Sequence, residues 1–272
     1  MRARLCGLAA LVVGAVVTVT GTAPAAAQSS YVERRIWDSR VTESSGLARS
    51  TYARSILWTH NDRGDSARIL GIRSDGTTRA VLSLSGAGAV DWEDIAAGPN
   101  NSLWIGDIGD NGRSRKYITV YRVTEPRYLS STSVSYKRYD LRYPDGAHDA
   151  EGLMVHPRTG RLYVVSKASS GAAIYRAPQY LSTSSANKLT KVARAPATVT
   201  GATFTPGGGR FVLCNYTRAY VYKSFGGTPT VISKPNADKQ GESIEVNRGG
   251  TALLIGQEGY DSPVYSTPLP SW

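Results

Sequence analysis

The chain has 272 residues, 32 lysines and arginines against 21 aspartates and glutamates, a formal net charge of +11 and two cysteines. Its cations are scattered along the sequence and form no basic stripe interleaved with aromatics, which argues against nucleic-acid binding. There is no Gly-x-Ser-x-Gly elbow, His-Glu-x-x-His pair, phosphate-cradling Gly-rich loop or Cys-x-x-Cys pair, so the chemistries built on them have no support.

A short basic start, an apolar run over 8–19 and the small residues Ala25-Ala26-Ala27 predict a secretory leader over 1–27. The apolar run is too short to span a bilayer comfortably, and Cys6 precedes it, the wrong place for a lipoprotein cysteine. The expected product is residues 28–272, a secreted single domain, monomeric, with no membrane span. Only Cys214 then remains, so no intramolecular disulfide can form. It lies in the apolar run Phe211-Val212-Leu213-Cys214 and is expected to be a buried thiol.

Beyond the leader, short phrases recur about every fifty residues: Ser45-Gly46-Leu47-Ala48, Glu93-Asp94-Ile95-Ala96, Glu151-Gly152-Leu153-Met154, Thr200-Gly201-Ala202-Thr203 and Glu242-Ser243-Ile244-Glu245. Each opens a unit of four short β-rich runs separated by turn residues. In the third unit these are 151–156, 161–165, 172–176 and 188–193, with a turn at Pro157-Arg158-Thr159-Gly160. Third runs carry Val120-Tyr121-Arg122, Val221-Tyr222-Lys223 and Val264-Tyr265-Ser266, whose aromatics are expected to pack. Four-stranded units repeated radially predict an all-β, five-bladed β-propeller. The fifth unit ends after its third run, and the unassigned run over 31–37 is positioned to supply its fourth strand, closing the ring and removing two exposed edges. A six-bladed ring is the alternative, with 124–135 the stretch that would hide the extra strand.

In an up-and-down blade the first strand begins on the face where the second ends. The openers Ser45, Glu93, Glu151, Thr200 and Glu242 should therefore meet Asn61, Asp107, Ser166, Asn215 and Gln257, which follow fourteen to sixteen residues later, at one mouth of the central channel. All ten are polar. Carboxylates crowded around one axis repel by about 4 kcal/mol per pair at ~4 Å and an effective dielectric of ~20, which a cation or raised pKa values would relieve. Oxygen donors without aligned His or Cys favour Ca²⁺ over Zn²⁺. The expected ligands are Glu93, Glu151 and Glu242, supported by Asp107, Asn61 and Gln257. A hydrated channel with carboxylates bonded to arginine is the alternative. The neighbouring loops Asn61-Asp62-Arg63-Gly64-Asp65, Gly106-Asp107-Ile108-Gly109-Asp110-Asn111 and Gln257-Glu258-Gly259-Tyr260-Asp261 make this rim acidic, whereas the opposite turns contain hardly an acid. Asp91, His148 and Asp149 should reach the same rim. Glu151, with His148 as proton carrier and Lys167 as an anion contact or ion-pair partner, are the catalytic candidates.

Several of these phrases carry a family resemblance. They are Glu43-Ser44-Ser45-Gly46-Leu47-Ala48, Asp91-Trp92-Glu93-Asp94-Ile95-Ala96, Gly106-Asp107-Ile108-Gly109-Asp110-Asn111, Tyr121-Arg122-Val123-Thr124-Glu125-Pro126, Tyr143-Pro144-Asp145-Gly146-Ala147-His148-Asp149-Ala150-Glu151 and Gln240-Gly241-Glu242-Ser243. The chain resembles secreted bacterial β-propeller proteins grouped under labels such as WD40-like or phytase-like. That resemblance implies the fold and an extracellular location. Calcium-dependent propeller hydrolases, the phytases and five-bladed apyrases, are the nearest mechanistic analogy, one of fold alone. The acidic rim lacks the dense cations a phytate site would want. The expected function is an extracellular module that binds a small molecule or cell-wall ligand at a Ca²⁺ site. The alternative is a metal-dependent hydrolase of phosphate esters or glycosides.

Overall fold

Each predicted unit folds as a four-stranded antiparallel blade in the computed structural model, which describes residues 29–235 and 241–270. Blade 1 comprises Ser44–Arg49, Leu57–Asn61, Arg68–Ile72 and Thr78–Ser83. Blade 2 comprises Trp92–Gly98, Ser102–Asp107, Ile118–Thr124 and Tyr136–Arg142. Blade 3 comprises Ala150–Val155, Leu162–Ser166, Ala173–Arg176 and Thr190–Arg194. Blade 4 comprises Gly201–Phe204, Phe211–Cys214, Arg218–Tyr222 and Thr230–Ser233. Blade 5 has Ile244–Val246, Ala252–Gly256 and Pro263–Pro268 from the C-terminal part, and Tyr31–Arg35 pairs antiparallel with Pro263–Pro268 as its fourth strand. The ends of the domain therefore close the ring as the sequence predicts.

The sixth-blade alternative is settled by 124–135. Beyond Thr124, which ends the third strand of blade 2, that stretch contributes only Thr132–Ser133, which runs parallel beside Thr78–Ser83 and straps blade 1 to blade 2. The run predicted over 188–193 is divided at buried Leu189. Asn187–Lys188 joins the outer edge of blade 2, and Thr190–Arg194 completes blade 3. The expected leader lies outside the described residues.

The five innermost strands contact their neighbours in a closed circuit, so the core is a set of apolar layers between blades and not a single centre. Trp58, Ile69, Trp92, Ile105 and Tyr121 fill the layer between blades 1 and 2. Truncating a fully buried side chain of this kind, such as Trp58, costs about 3–5 kcal/mol. The third-strand residues Tyr121 and Tyr175 are buried in these layers, as is the thiol of Cys214.

Two features of the hub position the site. In blades 1, 2 and 3 the pairing register slips between Ser44 and Gly46, Trp92 and Asp94, and Ala150 and Gly152. The openers Ser45, Glu93 and Glu151 are therefore bulged residues, and a bulge turns its side chain off the pleat. The residue after the opener is Gly46, Gly152, Gly201 and Ser243 in blades 1, 3, 4 and 5, and Asp94 in blade 2. A Cβ on Gly46 would lie 2.6 Å from the His60 ring and 2.7 Å from the Ile95 nitrogen, so backbone approaches backbone closely here. Asp94 brings a carboxylate to this hub. It accepts hydrogen bonds from the backbone nitrogens of Ile95 (2.8 Å), Leu153 (2.8 Å) and Ala202 (3.2 Å), linking blades 2, 3 and 4 at the axis.

Candidate metal centre at the acidic mouth

The loops above Asp94 connect second to third strands and fourth strands to the next blade. Three carboxylates converge there. Asp62 comes from the loop after the second strand of blade 1, Asp91 from the approach to blade 2, and Glu93 from its bulge. Each offers a ligand atom within 4.8 Å of the others. Among the described residues none of the three is in an ion pair. Glu93 is only 6% exposed, and Asp62 Oδ1 has no hydrogen-bond partner.

The wall of this cluster is backbone. Gly109 donates its N–H to the Asp91 carbonyl oxygen (3.1 Å). A Cβ at Gly109 would fall 2.2 Å from Glu93 Oε1 and 2.5 Å from Asp91 Oδ2, so glycine leaves the space in which these oxygens sit. Glu151 stands beside them. One of its oxygens is ion-paired with Lys167, while Oε2 is buried and unpartnered in a residue only 5% exposed. Lys167 also lies 5.3 Å from the centre of the Tyr216 ring.

The electrostatics show that the acids feel one another. Burial pushes the Glu93 carboxyl far above the ordinary range, and the charges of Glu151, Asp62 and Asp91 push it further. Burial also raises Asp62 and Asp91. It raises Glu151 despite the opposing charge of Lys167. Glu242 is pushed up to about 7 by burial and then by Glu258. Lys167 is displaced upward, because Glu151 overcomes the effect of burial. Carboxylates from blades 2, 3 and 5 thus share one mouth with Asp62 of blade 1.

The ten polar positions divide by role. The second-strand endings are loop clamps. Asn61 accepts hydrogen bonds from the Thr42 and Glu43 nitrogens (3.0 and 3.1 Å) and donates to the Arg40 carbonyl oxygen and Asp65. Asp107 accepts from the Val90 and Asp91 nitrogens (3.3 and 3.1 Å) and pairs with Arg115 at 2.8 Å. Ser166 and Asn215 bond forward instead, Ser166 accepting from the Ala173 nitrogen that opens the next strand and Asn215 from the Thr217 and Arg218 nitrogens of the following turn. Asn61 and Asp107 therefore hold the segments that carry Asp62 and Asp91, and their oxygens are committed. Gln257 is buried at the equivalent position in blade 5.

Position clamp-plus-one is what reaches the mouth: Asp62, Lys167, Tyr216 and Glu258 occupy it in four blades, and buried Ile108 in the other. His148 does not join them. Its Nε2 is 2.9 Å from Asp145 and 3.0 Å from the Tyr175 hydroxyl, and its ring packs edge-on against Tyr143, so it belongs to the outer part of blade 3. Asp149 accepts from the Asp110 nitrogen (2.8 Å) and braces the adjoining loop. Lys234, which sequence reasoning missed, is buried and donates to the carbonyl oxygens of Asn215 (2.9 Å) and Gly241 (2.6 Å) beneath Glu242.

No protein-family profile and no curated protein matches the sequence. Solved structures do match the fold. A gluconolactonase from Xanthomonas campestris aligns over 87% of this chain and 89% of its own at 18% identity and a TM-score of 0.52. The soluble aldose sugar dehydrogenase of Escherichia coli, in its apo form, aligns over 88% and 99% at 12% identity and a TM-score of 0.52. At these identities the likeness is one of architecture.

Proposed function

We propose that this chain is an exported propeller whose acidic mouth holds one hard divalent cation, Ca²⁺ foremost, and through it an oxygen-rich extracellular ligand. The observation that carries the reading is the convergence of Asp62, Asp91 and Glu93, within 4.8 Å of one another and without an ion-paired cation among the described residues. The donor set fits such an ion. It consists only of carboxylate oxygens, with the orphaned Asp62 Oδ1 and Glu151 Oε2 at hand and the Gly109 backbone leaving room. When bound, the ion would supply a positive centre for hydroxyl, carboxylate or phosphoryl oxygens of the ligand. Asn61 and Asp107 keep the carrier loops in place. Lys167 and the half-buried Tyr216 ring offer a charge and a flat apolar face to the same ligand, a pairing suited to sugars and sugar acids.

A second reading, metal-dependent hydrolysis of a phosphate ester, glycoside or lactone, is favoured by one specific feature. Glu151 Oε2, buried and unpartnered beside the cluster, stands where a general base would. The gluconolactonase likeness supplies the lactone class as one to try.

Thermal melting after chelation, then with Ca²⁺ or Mg²⁺ restored, tests the primary reading. Recovery of several degrees with Ca²⁺ supports it, and indifference to chelator and ion overturns it. Turnover of a generic lactone, phosphate ester or glycoside that needs Ca²⁺ and disappears in Glu151→Gln selects the second reading. Sugar-acid binding without turnover selects the first.

A further inference from the structure

The face opposite the acidic mouth carries the turns between first and second strands and between third and fourth strands. Cations that look scattered in the sequence collect there. In these turns the one exposed acid among the described residues is Asp75. Glu125 and Glu245 at this end are each 1% exposed and hydrogen-bonded inside the ring, and the partly exposed Glu33 and Asp38, which reach it from the outer strand of blade 5, are ion-paired with Arg34 and Arg40.

Two grooves open on this face. One, of about 700 Å³, lies between blades 3, 4 and 5 and is lined by Arg158, Arg210 and Lys223 among glycines, Thr205 and Pro206. The other, of about 370 Å³, lies on blades 1 and 2 and is lined by Arg73, Arg79 and Arg127 with Tyr128. Neither lining contains an acid. Arg79, Arg127 and Arg158 form no ion pair with any described residue.

We propose that this basic face docks the protein on a linear phosphate polyester of the teichoic-acid type, with one stretch of the polymer in each groove. Charge complementarity carries the assignment: three cations in each of two separate grooves suit a flexible chain with repeating single negative charges. The grooves lack what two other polyanions would use. Tyr128 is the one aromatic side chain lining either groove, so there is no succession of stacking platforms for nucleic-acid bases. Neither lining presents an exposed large aliphatic side chain that would enter a bilayer. The face is independent of the cation centre, so an acidic mouth without metal would leave this inference standing.

The test is binding of the full chain to immobilised poly(glycerol phosphate) over a salt series. A matched-charge oligonucleotide and phosphatidylglycerol vesicles serve as comparators. Gly207 and Gly209 have open space around an added Cβ and ordinary φ, so the double variant G207E/G209E places negative charge in the first groove without strain. The triple variant R73S/R79S/R127S strips the second groove. The wild type is expected to bind the polymer with steep salt dependence. Each variant should bind about tenfold more weakly, and the triple variant should show a log–log salt slope flatter by about two. Unchanged melting and Ca²⁺ response would show that fold and mouth are intact. Wild-type affinity in both variants, or tighter binding to the oligonucleotide or the vesicles than to the polymer, overturns the proposal.

Discussion

The two ends of the channel treat buried carboxylates in opposite ways. At the basic end, Glu245 accepts hydrogen bonds from the Arg49 nitrogen (3.0 Å) and Thr203 Oγ1 (2.8 Å) and pairs with the Arg49 guanidinium at 2.6 Å, so blade 5 is tied to blades 1 and 4. Glu125 likewise reaches from blade 2 to Thr51 and the Trp58 indole of blade 1. At the acidic end, Asp62, Asp91 and Glu93 face one another, and their neighbour Glu151 has an oxygen with no partner. A buried carboxylate with donors from two neighbouring strands is mortar for the ring. Carboxylates that face one another and leave the buried Asp62 Oδ1 and Glu151 Oε2 without a donor are not spent on tying blades together.

Removing a carboxylate at each end sharpens this contrast. The largest effect on stability is expected for Glu245→Ala, which strands the Arg49 charge and the Thr203 hydroxyl: about 3 kcal/mol, or roughly 6–12 °C in melting temperature, by calorimetry. Next comes the pH response of the acidic end in chelator-treated protein. A carboxyl whose folded pKa is raised holds more protons folded than unfolded, so stability is lost as pH climbs from its ordinary value to its folded one. For Glu242 that window runs from its ordinary value of 4.5 to about 7. His60 acts oppositely, since burial lowers it to about 4 and stability is lost as pH falls from 6.5 towards that value. The informative quantity is therefore the difference between wild type and Glu242→Gln. The variant should melt a few degrees higher at pH 7 and close to wild type at pH 4.5. The smallest change is expected for Glu93→Gln, under about 1 kcal/mol in metal-free protein at neutral pH, because glutamine copies the protonated acid already favoured there. A loss as large as that of Glu245→Ala would mean the two ends do not differ.

How much of this was legible beforehand follows the same division. Five blades and the closing strand were readable, because the recurring openers and the incomplete fifth unit are properties of sequence order. The acidic mouth was readable as a face. Its converging acids are half legible in the sequence. Glu93 and Glu151 are marked by their place as openers, whereas Asn61 and Asp107 are polar in register because they clamp the loops at their strand ends. The signal for Asp62 lay one residue further on, at the position shared with Lys167, Tyr216 and Glu258. The bulges that aim Glu93 and Glu151 inward leave no mark in composition, because a bulge is a relation between two strands. Asp94 at the hub was visible only as the exception among glycines and serine. The basic face leaves no run in the sequence, because its cations come from turns that lie apart in the chain and meet only when the ring closes.

Calorimetric titration of Ca²⁺ into chelator-stripped wild type and Glu93→Gln tests the central claim most directly. One ion per chain in the wild type, with a Kd at or below about 1 mM, and no measurable binding in the variant is the predicted result. No binding in the wild type, or the same affinity in both proteins, would contradict it.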